Sequence, residues 1–185
     1  IDDVEVGFDS LVEAVRTDGR AGPETFLRLF DLSAKSGKSM PADLMELSEV
    51  LRFEYRGNPV LSDLTSAEVR AYLSRGDHGK ALRTINDERE RLDPKVLEIL
   101  VSEWAIDMTF EYDTVDFLER VLGRLPRPLS PVAENVVAGR LLDLGLAEAA
   151  RTVMQSTPSR EAARERRYLR AEVALQLGDF ARVDD

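Results

Sequence analysis

His78 is the single histidine of a 185-residue chain that contains no cysteine. Imidazole suits proton transfer near neutral pH, but a general base also needs an orienting group and a nucleophile within hydrogen-bond reach. In Ser74-Arg75-Gly76-Asp77-His78-Gly79, Asp77 could orient the ring and Ser74 is the only nearby hydroxyl. No glycine-flanked serine elbow accompanies them. The pattern predicts a solvent-exposed turn histidine, with a catalytic base as the alternative. Without cysteine, thiolate nucleophiles, thiolate metal sites and disulfides are excluded.

Glu103, Asp107 and Glu111 recur every four residues and therefore share one helix face. Three carboxylates there could hold a hard cation such as calcium, although no loop of alternating oxygen ligands is present. A solvated acidic face is the expectation, and it would also suit a basic partner. Arg160, Arg164, Arg167 and, at the edge, Arg170 form a basic stripe on one helix, with Arg166 beside it. Interleaved Glu161, Glu165 and Glu172 predict an intramolecular charge network, with an acidic partner protein as the alternative. Trp104, alone in an apolar helix, belongs in the core rather than on a stacking platform. Neither a phosphate-cradling glycine motif nor a metalloprotease motif occurs, and no cofactor or metal is expected.

The elements that position these residues follow from composition and spacing. With 43% hydrophobic and 32% charged residues, the chain has the balance of a folded protein of one domain or two closely packed ones. Thirty-five acidic against 25 basic residues give a net charge of −10, which repels phosphate backbones and argues against a nucleic-acid partner. No run approaches the roughly 18 apolar residues that span a bilayer. Arginine outnumbers lysine 21 to 4, a codon bias that points to a GC-rich bacterial genome. The chain opens at Ile1 and stops at Asp185 within what reads as a helix just begun, so it is expected to be a piece of a longer protein. A cysteine-free chain suits the cytoplasm or the periplasm.

Hydrophobic spacing is helical nearly throughout. Phe8, Leu11, Val12 and Val15 form one stripe, closed by Asp18-Gly19. Pro23, Pro41, Pro94 and Pro131 stand where first turns tolerate proline, and Arg56-Gly57-Asn58-Pro59 is a strong breaker. Thr65 and Ser66 are plausible N-caps, Glu68 completing a capping box with Thr65. Convincing period-two alternation is absent. The fold class is therefore all-α, with ten or eleven helices in antiparallel pairs.

Four inter-helix segments carry their fourth residues at 76, 111, 145 and 178, spaced by 35, 34 and 33. Two of them share a register: Gly76 with Ala81, and Gly145 with Ala150. Ala138 and Ala171 stand seven residues before a glycine, where Val69 and Trp104 occupy the other two units. On these residues the chain resembles the tetratricopeptide repeat family, whose helix pairs recur at about 34 residues. The Glu111 unit departs from it, lacking the glycine and carrying Asp116 for alanine; the last unit carries Val183. The resemblance covers about residues 61–185, the last repeat being truncated, and residues 1–60 read as irregular helical pairs packed on the array.

That resemblance implies a right-handed α-solenoid whose first helices line a groove presenting Arg70, Asn135, Tyr168, Glu172 and Gln176. It implies a non-enzymatic module for protein–protein interaction or assembly, holding a peptide or helix of a partner. A structural spacer without its own ligand and a helical enzyme with a pocket between helices are the alternatives.

Overall fold

The computed structural model describes residues 2–18 and 21–179. Among these the chain forms ten helices and no strand: α1 (Asp2–Asp18), α2 (Pro23–Ser36), α3 (Ala42–Glu54), α4 (Leu61–Leu73), α5 (His78–Glu88), α6 (Pro94–Glu111), α7 (Thr114–Arg124), α8 (Pro131–Asp143), α9 (Ala147–Val153) and α10 (Ala163–Leu177). The turn at Gly19, Val183 and the final helix read at 180–185 lie outside the described residues. No described helix is long and apolar enough to cross a membrane.

Helix starts follow local chemistry. Asp93 accepts a hydrogen bond from the Lys95 amide at 2.8 Å as α6 begins at Pro94. Ser130 caps α8, its Oγ accepting from the Ala133 amide at 3.2 Å. The start of α4 corrects the sequence reading. Asn58 Oδ1 accepts from the Val60 amide at 3.0 Å, and the helix begins at Leu61. Thr65, Ser66 and Glu68 are thus interior residues, not a capping box.

Helix ends carry the period. The Asp77 amide donates to Tyr72 O (2.9 Å) and the Gly76 amide to Leu73 O (2.8 Å). Leu146 and Gly145 repeat this pair of bonds onto Leu141 and Leu142, as Asp179 and Gly178 do onto Ala174 and Leu175. These are three Schellman turns, which need a left-handed residue, and Gly76, Gly145 and Gly178 supply φ of 72°, 73° and 70°. At Glu111 the chain has no such glycine. There Arg140 of α8 donates to the Thr109 and Tyr112 carbonyls, satisfying the end of α6, while Asp113 caps α7.

The chain divides between Leu97 and Glu98 into two compact units. In the first, α2 packs on α1, α3 and α4, and α4 packs on α3 and α5. Phe26, Leu29, Leu64, Val69, Ala81 and Ile85 fill its core. In the second, α10 packs on α8 and α9, which pack on each other, and Trp104, Met108, Phe117, Ala138 and Leu141 are buried. Trp104 is a core residue, as its lone place in an apolar helix predicts. Ala81 and Ala150 are fully buried, which allows the close helix approach expected of a small side chain; Asp116 at the equivalent place is exposed and Phe117 is buried instead.

Candidate peptide-binding cleft

In the first unit α2 and α4 lie side by side but do not close fully. Small residues face each other across the seam, Ser33 and Ala34 from α2 and Ser66, Ala67 and Ala71 from α4, leaving a cleft of about 510 Å³. Leu27 and Phe30 contribute apolar wall, and Asp31, Asp63, Lys38 and Arg70 line it as charged residues. Arg70, expected in a groove from the tetratricopeptide resemblance, lines this cleft.

Three of the hydroxyls lining this cleft are set as acceptors. Ser33 donates to Lys38 O, Ser66 to Ser62 O (2.7 Å) and Ser74 to Ala71 O (2.9 Å). Each hydroxyl proton is used locally, so the oxygen lone pairs remain to receive N–H groups. Asp31 is held as a carboxylate, below its usual range, chiefly by the Lys35 ammonium.

The opposite face of α4 anchors the cleft wall through buried charge. Glu68 accepts from Arg52 Nε of α3 at 3.2 Å, from Ser48 at 3.4 Å and from Thr84 of α5 at 3.3 Å. Arg52 also donates to Glu88 at 2.6 Å, and Glu88 takes Arg56 at 2.7 Å besides. Burial pushes the Glu68 carboxyl up to about 7, with nearby Glu49 adding to the rise and Arg52 opposing it. Tyr72 donates to Glu49, and its phenol is pushed well above the usual range, first by burial and then by that bond.

A second buried cluster stands in the second unit. Arg166 is fully buried and donates to Glu134 (2.9 Å), Pro131 O (3.0 Å), Ser156 O (3.2 Å) and Asn135 Oδ1. Glu134 also takes Arg127 at 2.7 Å and the Ser156 hydroxyl at 2.7 Å. Burial alone would raise the Glu134 pKa; the Ser156 and Arg166 bonds outweigh it and hold the group below its usual value.

The residues singled out in the sequence fall into different places. Asn135 is buried, its amide donating to Ala162 O (3.1 Å) and Glu165 (3.3 Å), so it knits α8 to α10 rather than presenting itself to a groove. Tyr168 is 70% exposed, Glu172 is half-buried, and Gln176 donates to Leu142 O and Glu172 beside a hollow of about 560 Å³ next to Gly145. His78 is not a solvent-exposed turn residue: it is the first residue of α5, buried, with Nδ1 2.9 Å from Gly76 O, because the left-handed turn folds the start of α5 back onto α4. Glu103 and Asp107 are half-buried and only Glu111 is exposed, so their face is only partly solvated. No metal-ligating group of three forms among the described residues. Arg164, Arg167 and Arg170 are exposed on α10, Arg160 sits in the turn before it, and the intramolecular charge network belongs to Arg166.

Sequence reasoning missed Glu68, Arg52, Glu88 and Glu134. A signal existed for Glu68: Leu61, Leu64, Thr65, Glu68, Val69 and Tyr72 follow one helical stripe, and the carboxylate sits inside it. No known family, curated protein or solved structure matches the chain.

Proposed function

We propose that this chain is a tetratricopeptide-like, non-enzymatic helical-repeat module that holds a segment of another protein in the α2/α4 cleft. The observation that carries this reading is the open seam itself: two neighbouring helices meet through small residues and leave about 510 Å³ unfilled. That volume suits several side chains of an extended or helical segment, and the serine acceptors suit its N–H groups. The repeat reading draws support from the three Schellman turns and from packing in which α4 and α10 each contact both helices of the preceding pair. Gly37, with φ of 70° after α2, extends the left-handed helix ending to a helix outside residues 61–185.

The test is selection of short peptides from a display library against the intact chain, followed by affinity measurement on Ala67→Trp. Filling the cleft is expected to weaken selected peptides by at least about tenfold, while helix content stays unchanged by circular dichroism. Equal affinity for both proteins, or no selected peptide, overturns the proposal. Tyr168→Ala with Glu172→Ala supplies the second arm: a loss there instead assigns binding to α10.

A further inference from the structure

Outside the cleft, α3 presents an unusual outer face. Its inner side, Leu44, Met45, Ser48, Leu51 and Arg52, is buried. Its outer side exposes three large apolar side chains in successive steps of three residues: Leu47 (38%), Val50 (54%) and Phe53 (63%). Residues three apart on a helix are neighbours, so these form one continuous row. Glu46 and Glu54 stand four residues before and after Val50, flanking the row; Asp43 on the same side is already taken by Arg16 of α1, at 2.9 and 3.0 Å. The only basic residue of α3 is Arg52, which points inward to Glu68 and Glu88. One flank of the row already shows cation recognition: the Arg56 guanidinium lies 4.4 Å from the centre of the Phe53 ring.

We propose that this face is a second docking surface, for a basic amphipathic helix of a partner protein. Aliphatic residues at helical spacing on the partner would cover Leu47, Val50 and Phe53, and flanking lysine or arginine would meet Glu46 and Glu54. Charge selects this occupant over a second copy of the chain, because a face-to-face pair would bring the same carboxylates against each other. The surface is independent of the α2/α4 cleft, which is lined by other residues.

The probe is a fluorescently labelled synthetic helix of leucine and lysine in amphipathic order, with a scrambled peptide of the same composition as comparator. Binding to the intact chain is followed by anisotropy. The ordered peptide is expected to bind at least about tenfold tighter than the scrambled one. Val50→Ser with Phe53→Ser should abolish that preference, and Glu46→Lys with Glu54→Lys should weaken the ordered peptide by about tenfold or more. All four positions are exposed, so circular dichroism should show the helices intact. Equal binding of ordered and scrambled peptides overturns the inference, as does a preference that survives Val50→Ser with Phe53→Ser. A preference lost only in Ala67→Trp places the peptide in the cleft, which overturns this inference and leaves the proposed function standing. A dimer seen in sedimentation equilibrium and lost in the serine variant makes a second copy the occupant and overturns it too.

Discussion

Glu68 in the first unit and Glu134 in the second are both buried to 1% exposure, yet one is pushed up to about 7 and the other is held below its usual value. Both are shielded from solvent, but Glu68 is the more heavily desolvated of the two, and the donors around them differ as well. Around Glu134, Arg127 and the Ser156 hydroxyl approach to 2.7 Å and Arg166 to 2.9 Å. Around Glu68, Arg52, Ser48 and Thr84 stand at 3.2–3.4 Å, and Arg52 makes its shorter bond, 2.6 Å, to Glu88. Glu88 collects the cations of its neighbourhood, leaving Glu68 desolvated without full compensation. A buried carboxylate thus anchors helices as an ion in one unit and, near neutral pH, as a partly protonated acid in the other.

The largest expected effect breaks the ionic side of that contrast. Arg166→Met removes a buried cation that also satisfies two carbonyls, and leaves Glu134 with one arginine fewer. Breaking such a pair costs about 3–5 kcal/mol. Trp104, the single tryptophan and buried in the second unit, gives the readout by fluorescence during urea unfolding. A loss under about 1 kcal/mol would mean that Glu134 is held by Arg127 and Ser156 alone.

The next effect is a pH dependence from Glu68. Its folded pKa lies above its unfolded one, so between pH 4.5 and about 7 the folded chain binds more protons. Stability contributed by this group is therefore present at the acid end of that window and lost as pH rises through about 7. The gain on going from pH 8 to pH 5 is up to about 3 kcal/mol. The depressed carboxylates Asp31, Asp43 and Glu134 act in the opposite sense, and only as pH falls below their ordinary unfolded values. Hydrogen exchange of α4 amides at pH 5 and pH 8 measures the effect. In Glu68→Gln the difference should vanish, whereas Glu134→Gln should leave it in place. A slope unchanged in Glu68→Gln would end the assignment.

These two carboxylates also show what a sequence reveals and what it hides. Gly76, Gly145 and Gly178 were legible because a left-handed helix ending restricts the residue type, and that demand is local. Pro94 and Pro131 were legible for the same reason. Glu68 was misread because Thr65 and Glu68 have capping-box spacing, and only Asn58 turning the chain at Leu61 puts them inside a helix. Arg166 was read as standing beside a basic stripe within an intramolecular charge network, and it shares a helix side with buried Ala162, Leu169 and Val173. Its partners Asn135 and Glu134 lie about thirty residues earlier, and no local pattern names them. The sequence did not point to the α2/α4 cleft: Arg70 was placed instead in the groove that the tetratricopeptide resemblance implies. The cleft's emptiness comes from alanines and serines on α2 and α4 facing each other, a tertiary property.

Hydroxyls give the smallest and sharpest test of how completely each unit satisfies its interior. Thr65 Oγ1 is fully enclosed beside the Glu68 cluster and has no hydrogen-bond partner. In the second unit the buried Thr109 hydroxyl donates to Ala105 O at 2.6 Å. Removing an unsatisfied buried hydroxyl while keeping its volume recovers a desolvation cost, so Thr65→Val should stabilise the first unit by about 1 kcal/mol. Thr109→Val loses a bond that was made and should be neutral or destabilising by a similar amount. Exchange of α4 amides reads the first and Trp104 fluorescence the second. If Thr65→Val destabilises, that hydroxyl has a partner such as a buried water, and the first unit is as fully satisfied as the second at this position.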